Sequence, residues 1–208
     1  MFLRPVFLFS LLRCSIGSPI LTGLTLGVDY YPESWGVDTW QSDAEAMQAA
    51  GITIVRMAEF SWHGFQPEMD GAYNFTWLDS SLDVLSAHGI RAIVGTPTAS
   101  PPSWLYKSDP SIALIDNYGR RIGSGSRQNL NHLHPRVLSE TRSIVSAIAA
   151  HYSSDSRVAG FQIDNEIHGD PDYSDLTRDA FQVWLSNKYI NSIDSLNIAW
   201  GTTFWGLQ

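Results

Sequence analysis

Short apolar runs alternate with amphipathic stretches along most of this chain, and that rhythm restricts the fold more than any other feature. Leu24 to Asp29 reads as a strand, and the segment Asp38 to Ala50 then carries Trp40, Ala44 and Met47 at helical spacing before Gly51. "ITIVRMAEF" forms a second apolar run, and Trp77 to Ala87 places Leu78, Leu82 and Leu85 on one helical face ahead of Gly89. "IRAIVGTPT" gives a third strand, Arg136 to Tyr152 a further helix, and "RVAGFQID" a fourth strand. Apolar strands separated by amphipathic helices predict an α/β fold with a parallel sheet, whose chemistry sits in the loops after the strands.

The Pro/Gly/Ser-rich stretch from Ala99 to Pro135 is expected to be a long connection, and Ser174 to Tyr189 a helix beyond the fourth strand. A complete (β/α)8 TIM barrel takes about 250 residues. Only about the first four βα units are expected within the 208 residues of this chain. Residues 18–208 therefore read as the N-terminal half of such a barrel, with unpaired edges expected on the first and fourth strands.

The segment before residue 18 has a different character. "MFLRPVFLFSLLRCSIGSPI" combines Arg4, an apolar run from Val6 to Leu12 and small residues at Ser15 and Gly17, so residues 1–17 resemble a secretory signal. The run is too short to span a bilayer. Arg13 and Pro5 interrupt it, which leaves a retained N-terminal extension as the alternative. Cys14 is the single cysteine, so a mature chain without the segment would have no disulfide and no thiolate metal site. "NFT" at Asn74 to Thr76 is a glycosylation acceptor if the chain is exported. A formal net charge of -8 and a pI near 5.0 exclude a nucleic-acid or anionic-membrane surface as the expected partner, because both need clustered Lys and Arg. Eight Trp, eight Tyr and nine Phe can fill a core or stack on sugar faces, and composition alone favours the core.

Three strand ends carry polar residues at equivalent places: "VDYYPE", "VRMAEF" and "QIDNE". Parallel strands bring such ends to one rim. Glu166 is then a candidate general acid, on the expectation that neighbouring aromatics partly desolvate it, and Asn165 a candidate partner for a sugar hydroxyl. A solvated carboxylate after a strand is the competing reading. Arg56 could hold a sugar hydroxyl or pair with Glu59 or another rim carboxylate; Arg127 in "GSGSRQNL" could reach the site or remain a loop arginine. Glu33 and Glu59 read as members of a rim network, and "TPTASPPSWL" as a rigid pocket wall. His132 and His134 have a metal-compatible spacing, but no metal is assigned to them, and His168 reads as a neighbour of the site or a surface residue.

The strings "LGVDYYPESW", "GITIVRMAEFSW", "FTWLD", "GTPTASPPSWL", "GSR" and "GFQIDNE", in this order and spacing, resemble glycoside hydrolase family 42, the β-galactosidases of a large TIM-barrel clan of retaining glycosidases. The likeness runs from about Leu26 to Trp205. It implies release of terminal non-reducing β-D-galactose with retention of configuration, with Glu166 as acid/base and Asn165, Arg127, Arg56 and Trp205 as substrate-binding residues. Trp205 would stack on the sugar, or else belong to the core. The resemblance implies no cofactor, a carbohydrate partner, and homo-oligomers among full-length relatives. Many relatives carry a cysteine shortly after the loop arginine, whereas this chain reads "QNLNHLHP", so a thiolate cluster there is not expected.

Retaining hydrolysis also needs a second carboxylate about 5 to 5.5 Å from the acid. The resemblance places it on a seventh strand, and none of Glu33, Glu59 and Glu68 matches its motif. The expectation is an enzyme half that is inactive by itself. The alternatives are a non-catalytic sugar-binding remnant and a clan relative acting on β-glucosides or β-mannosides.

Overall fold

The computed structural model describes residues 25–167 and 171–203. Four strands, β1 (Gly27–Asp29), β2 (Ile54–Met57), β3 (Arg91–Gly95) and β4 (Val158–Gln162), form one sheet in sequential order. Every pairing is parallel, with Asp29 beside Arg56 and Arg56 beside Ile93. Each crossover carries a helix: α1 (Trp40–Ala49) after β1, the single turn α2 (Trp62–Phe65) and α3 (Thr76–Ala87) after β2, and α4 (Ser103–Ser108) and α5 (Pro135–Tyr152) after β3. Helices α6 (Asp175–Lys188) and α7 (Ile193–Trp200) follow β4.

The helices stop where the backbone needs a left-handed residue without a Cβ: Gly51 after α1 and Gly89 after α3 have φ of +78° and +73°. Starts are set by side chains. His134 accepts a hydrogen bond from Arg136 N ahead of Pro135, and Ser174 and Ser192 cap α6 and α7.

Alternation along the strands divides the sheet into two faces. Val55 and Met57 of β2 and Ala92 and Val94 of β3 are buried in one core with Leu78, Leu82, Leu85, Ile144 and Ile148 from α3 and α5. Each fully buried leucine or isoleucine there contributes about 1.5–3 kcal/mol relative to exposure. The alternate positions, Arg56 among them, lie on the opposite face and are only half-buried.

The connection between Ala99 and Pro135 is more ordered than its composition suggests. It contains α4, and antiparallel bridges join Ala113 to Leu130 and Ile115 to Arg121. Its apolar residues Leu105, Ile112 and Leu130 are buried, so the segment packs rather than loops. Helices α2 and α7 are likewise absent from the periodicity reading, being too short to display a period. Helix α6 buries none of its side chains, and Phe181, Val183 and Trp184 on it are exposed. Residues 1–17, Cys14, His168 and Trp205 lie outside the described residues.

Candidate active site

The register sets the rim. Asp29 ends β1, Arg56 lies beside it in β2, and Gln162 ends β4, so three polar side chains converge past the C-terminal ends of parallel strands. Arg56 joins them. Its Nη2 lies 2.9 Å from Asp29 Oδ2 and 3.0 Å from Glu59 Oε1, while Nη1 donates to Gln162 Oε1 at 3.2 Å and Asn165 Oδ1 at 3.1 Å. Arg56 thus makes the ion pair with Glu59 and touches the Asn165 amide at once. Partial burial works against the cation, and Tyr31 with the charges of Glu59 and Asp29 outweighs it, so the guanidinium is held even more firmly charged than usual.

Glu59 anchors this cluster from below. It is fully buried, and its Oε1 accepts from the Tyr31 hydroxyl at 2.8 Å as well as from Arg56. Its Oε2 and Arg56 Nε have no hydrogen-bond partner among the described residues. Space for Glu59 exists because residue 95 is glycine: a Cβ there would come within 2.4 Å of Glu59 Cβ and 2.8 Å of its Cα. Glu33 accepts from Ser61 Oγ at 2.6 Å, and desolvation raises its carboxyl above the ordinary range against the lowering effect of that bond. A buried carboxylate paired to a rim arginine is a scaffold for the site rather than an acid within it.

Glu166 sits differently. Its side chain is 59% exposed, and Oε2 lies 2.5 Å from Arg127 Nη2. The expectation of an acid partly desolvated by aromatics is not met among the described residues: the side chain projects from the open end of β4 into solvent and meets a guanidinium. The Arg127 guanidinium in turn lies 5.8 Å from the centre of the Phe60 ring, which stacks on Tyr31 at 6.0 Å. Gln128, the next residue, donates to the backbone carbonyls of Asn165 at 2.5 Å and Glu166 at 3.1 Å. One loop therefore grips the catalytic candidate by both side chain and backbone.

The backbone around these contacts is strained. Ala58, Gln128, Asp164 and Glu166 all have positive φ, between +42° and +75°, which costs a residue with a Cβ about 1–2 kcal/mol. Asp164 N is tied to Thr96 Oγ1 at 2.7 Å, and Thr96 N to Gln162 O at 2.8 Å, so β3 supports the bend that turns Asn165 and Glu166 to the rim.

Sequence reasoning included Asp29, Tyr31 and Gln162 only within the strand-end motifs, without a role of their own, and did not single out Gln128. Gln162 had a signal, a polar side chain at an alternate position of an apolar strand; Gln128 had none beyond its place after Arg127. His134 serves as the α5 cap, with Nε2 3.2 Å from Ser111 Oγ and 3.9 Å from Asp109. Among the described residues no group of three His, Cys, Asp or Glu side chains is placed to hold a metal ion, and no helix is long and apolar enough to cross a membrane. A groove of about 620 Å³ adjoins the pair, lined by Phe60, Pro101, Ser103, Ser126 and Arg127. A second cavity of about 260 Å³, between α6 and α7, contains none of the rim residues.

A family model described as beta-galactosidase matches residues 29–208. "Beta-galactosidase BgaA" from a Thermus species is 42% identical over 183 residues, covering 86% of this chain and 28% of the relative. The solved "Polyextremophilic Beta-galactosidase" of the Antarctic haloarchaeon Halorubrum lacusprofundi superposes with a TM-score of 0.83 at 41% identity, covering 89% of this chain and 28% of that one. The solved cold-adapted β-galactosidase of Rahnella sp. R3 gives a TM-score of 0.84 at 30% identity, with 90% and 27% covered. The chain thus spans little more than a quarter of the length of these relatives.

Proposed function

The chain belongs to glycoside hydrolase family 42, and from that membership we propose that it carries the acid/base half of a retaining β-galactosidase active site. The family match implies the (β/α)8 barrel as parent fold, and the parallel four-stranded sheet is consistent with part of it. The single observation that supports the reading is the rim constellation itself. Arg56 in β2 meets Asn165 beyond β4 at 3.1 Å, and Arg127 in the connection after β3 meets Glu166 beyond β4 at 2.5 Å.

In this reading Glu166 gives its proton to the glycosidic oxygen as the bond to the anomeric carbon breaks, and a second carboxylate attacks that carbon from the other face. Glu166 then takes a proton from the water that releases the galactose, which restores the acid. Asn165 and Arg56 hold the sugar at the reacting end. Arg127 orients the Glu166 carboxylate, and must yield it when the substrate enters. The second carboxylate is not assigned to any residue of this chain, so the polypeptide by itself is expected to bind but not turn over.

Purified residues 18–208 should give no steady turnover of a chromogenic β-galactoside. Turnover abolished by Glu166→Gln would overturn the assignment of an incomplete site. A titration with methyl β-galactoside, with the β-glucoside and β-mannoside as controls, separates a galactose site from a relative of other specificity. Secretion belongs to the same proposal: the N-terminus of the expressed protein should begin near residue 18.

A further inference from the structure

Which way the Asn165 amide faces decides what the site can recognise, and the contacts around it fix that choice. An arginine only donates. The atoms turned to Arg56 Nη1 must therefore be oxygens, Oε1 of Gln162 and Oδ1 of Asn165. With its oxygen so placed, Gln162 has Nε2 free to donate, and it does so to Asn165 Oδ1 at 3.1 Å and Asp164 O at 2.8 Å. The Asn165 oxygen thus accepts from both Arg56 Nη1 and Gln162 Nε2. Its Nδ2 has no acceptor among the described residues, although the residue as a whole is only 2% exposed.

The arginine cannot turn away, because acceptors hold its other arm. Asp29 and the buried Glu59 take Nη2, and the Tyr31 hydroxyl on Glu59 braces the carboxylate. The chain of constraint runs from the carboxyl oxygens that face Nη2, through a guanidinium that can only donate, to an amide that could otherwise face either way.

We propose that Glu59 and Gln162 are positioning residues that lock the Asn165 amide with its NH2 toward the cleft, so that the site reads a hydrogen-bond acceptor on its ligand. On the reading given above, that acceptor is a hydroxyl oxygen of the sugar beside the reacting carbon. Glu59 and Gln162 touch no substrate. They act through Arg56 and Asn165.

The side-chain amide resonances of Asn165 test this in the ¹⁵N-labelled chain, assigned by their disappearance in Asn165→Asp. Gln162→Glu places a carboxylate where Nε2 donated, against Asn165 Oδ1 and Asp164 O, and should move the Asn165 resonances with no ligand present. Glu59→Gln should move them in a milder way, and Gln162→Met serves where a charge at position 162 lowers the melting temperature. Resonances unmoved in all the folded variants overturn the proposal, whether or not any sugar binds. With methyl β-galactoside added, the wild-type NH2 pair should shift, and Gln162→Glu should weaken binding at least tenfold while the melting temperature is kept. Sugar binding that leaves the NH2 pair unshifted also overturns it. A wild-type chain that binds no galactoside refutes the galactosidase reading alone, since the ligand-free arm still decides the orientation of the amide.

Discussion

The two ends of the sheet carry similar numbers of charges and use them in different ways. At the start of β3 and β4, Arg91 donates to the carbonyls of Ser156 and Val158, and Arg157 meets Asp155 and Asp83, each at 2.5 Å, and Asp79 at 3.5 Å. That cluster is dense, and none of these residues has a positive φ, although the register of β3 on β4 shifts between Ala92 and Ile93. At the far end Arg56 also has several partners, yet among the described residues Nε is left without one, a buried carboxyl oxygen of Glu59 is unpaired, and four residues nearby have left-handed backbone. Left-handed backbone gathers at the rim, whereas among the described residues buried polar atoms without a partner occur at both ends, Tyr152 Oη beside the Arg157 cluster among them.

Breaking the rim should show most in chemistry. In a completed active site Glu166→Gln should lower kcat by about 10² to 10⁴, the range of general acid–base catalysis, while the melting temperature hardly moves because the side chain is largely exposed. A large fall in stability with it would erase the contrast.

The next effect is steric. Gly95→Ala should cost about 1–3 kcal/mol in denaturant unfolding, because the added methyl meets the backbone of Glu59, and galactoside affinity should fall with it. Gly160 on the neighbouring strand has nothing within 4 Å of an added Cβ, so Gly160→Ala should be neutral or slightly stabilising. Equal costs at the two glycines would refute the close approach at Glu59.

At the Arg157 end the test is pH. Hydrogen bonds from Arg157 hold the Asp155 carboxyl below its ordinary range, against the raising effect of burial. Outside that cluster, just before α6, burial would likewise raise Asp172, and its bonds from Ile115 N, Ser174 and Thr177 outweigh it. Both folded values lie below the unfolded ones, so their stabilisation is complete above the ordinary carboxylate range and is lost as pH falls through the depressed values. Acid unfolding of Arg157→Ala should accordingly show a weaker dependence on pH below 4 than the wild type. An unchanged acid limb would remove Arg157 from the account.

Much of the fold was legible. The four strands, α1 and α6 fall within the segments that apolar period, Gly51 and Gly89 mark out, and α3 and α5 begin one residue ahead of theirs, since strand and helix periods are local properties of the chain. The ordered connection before α5 was not, because its helices and bridges are too short for periodicity and depend on burying Leu105, Ile112 and Leu130 against distant elements. The site was legible in part. Motif order pointed to Asn165, Glu166, Arg56 and Arg127, and the register brings their strand ends to one rim.

By itself the sequence determined the succession of elements, the family and the residue types at the strand ends, all of which follow from local pattern and motif order. Tertiary structure alone decided which partner each charge takes. Arg56 holds Asn165 rather than only Glu59, Gln162 orients the amide, and Glu166 meets Arg127 in the open instead of an aromatic wall. The physical reason is distance in the chain: Arg56 and Asn165 are separated by 109 positions and Arg127 and Glu166 by 39, so only the parallel register and the bend after β4 bring them within a hydrogen bond.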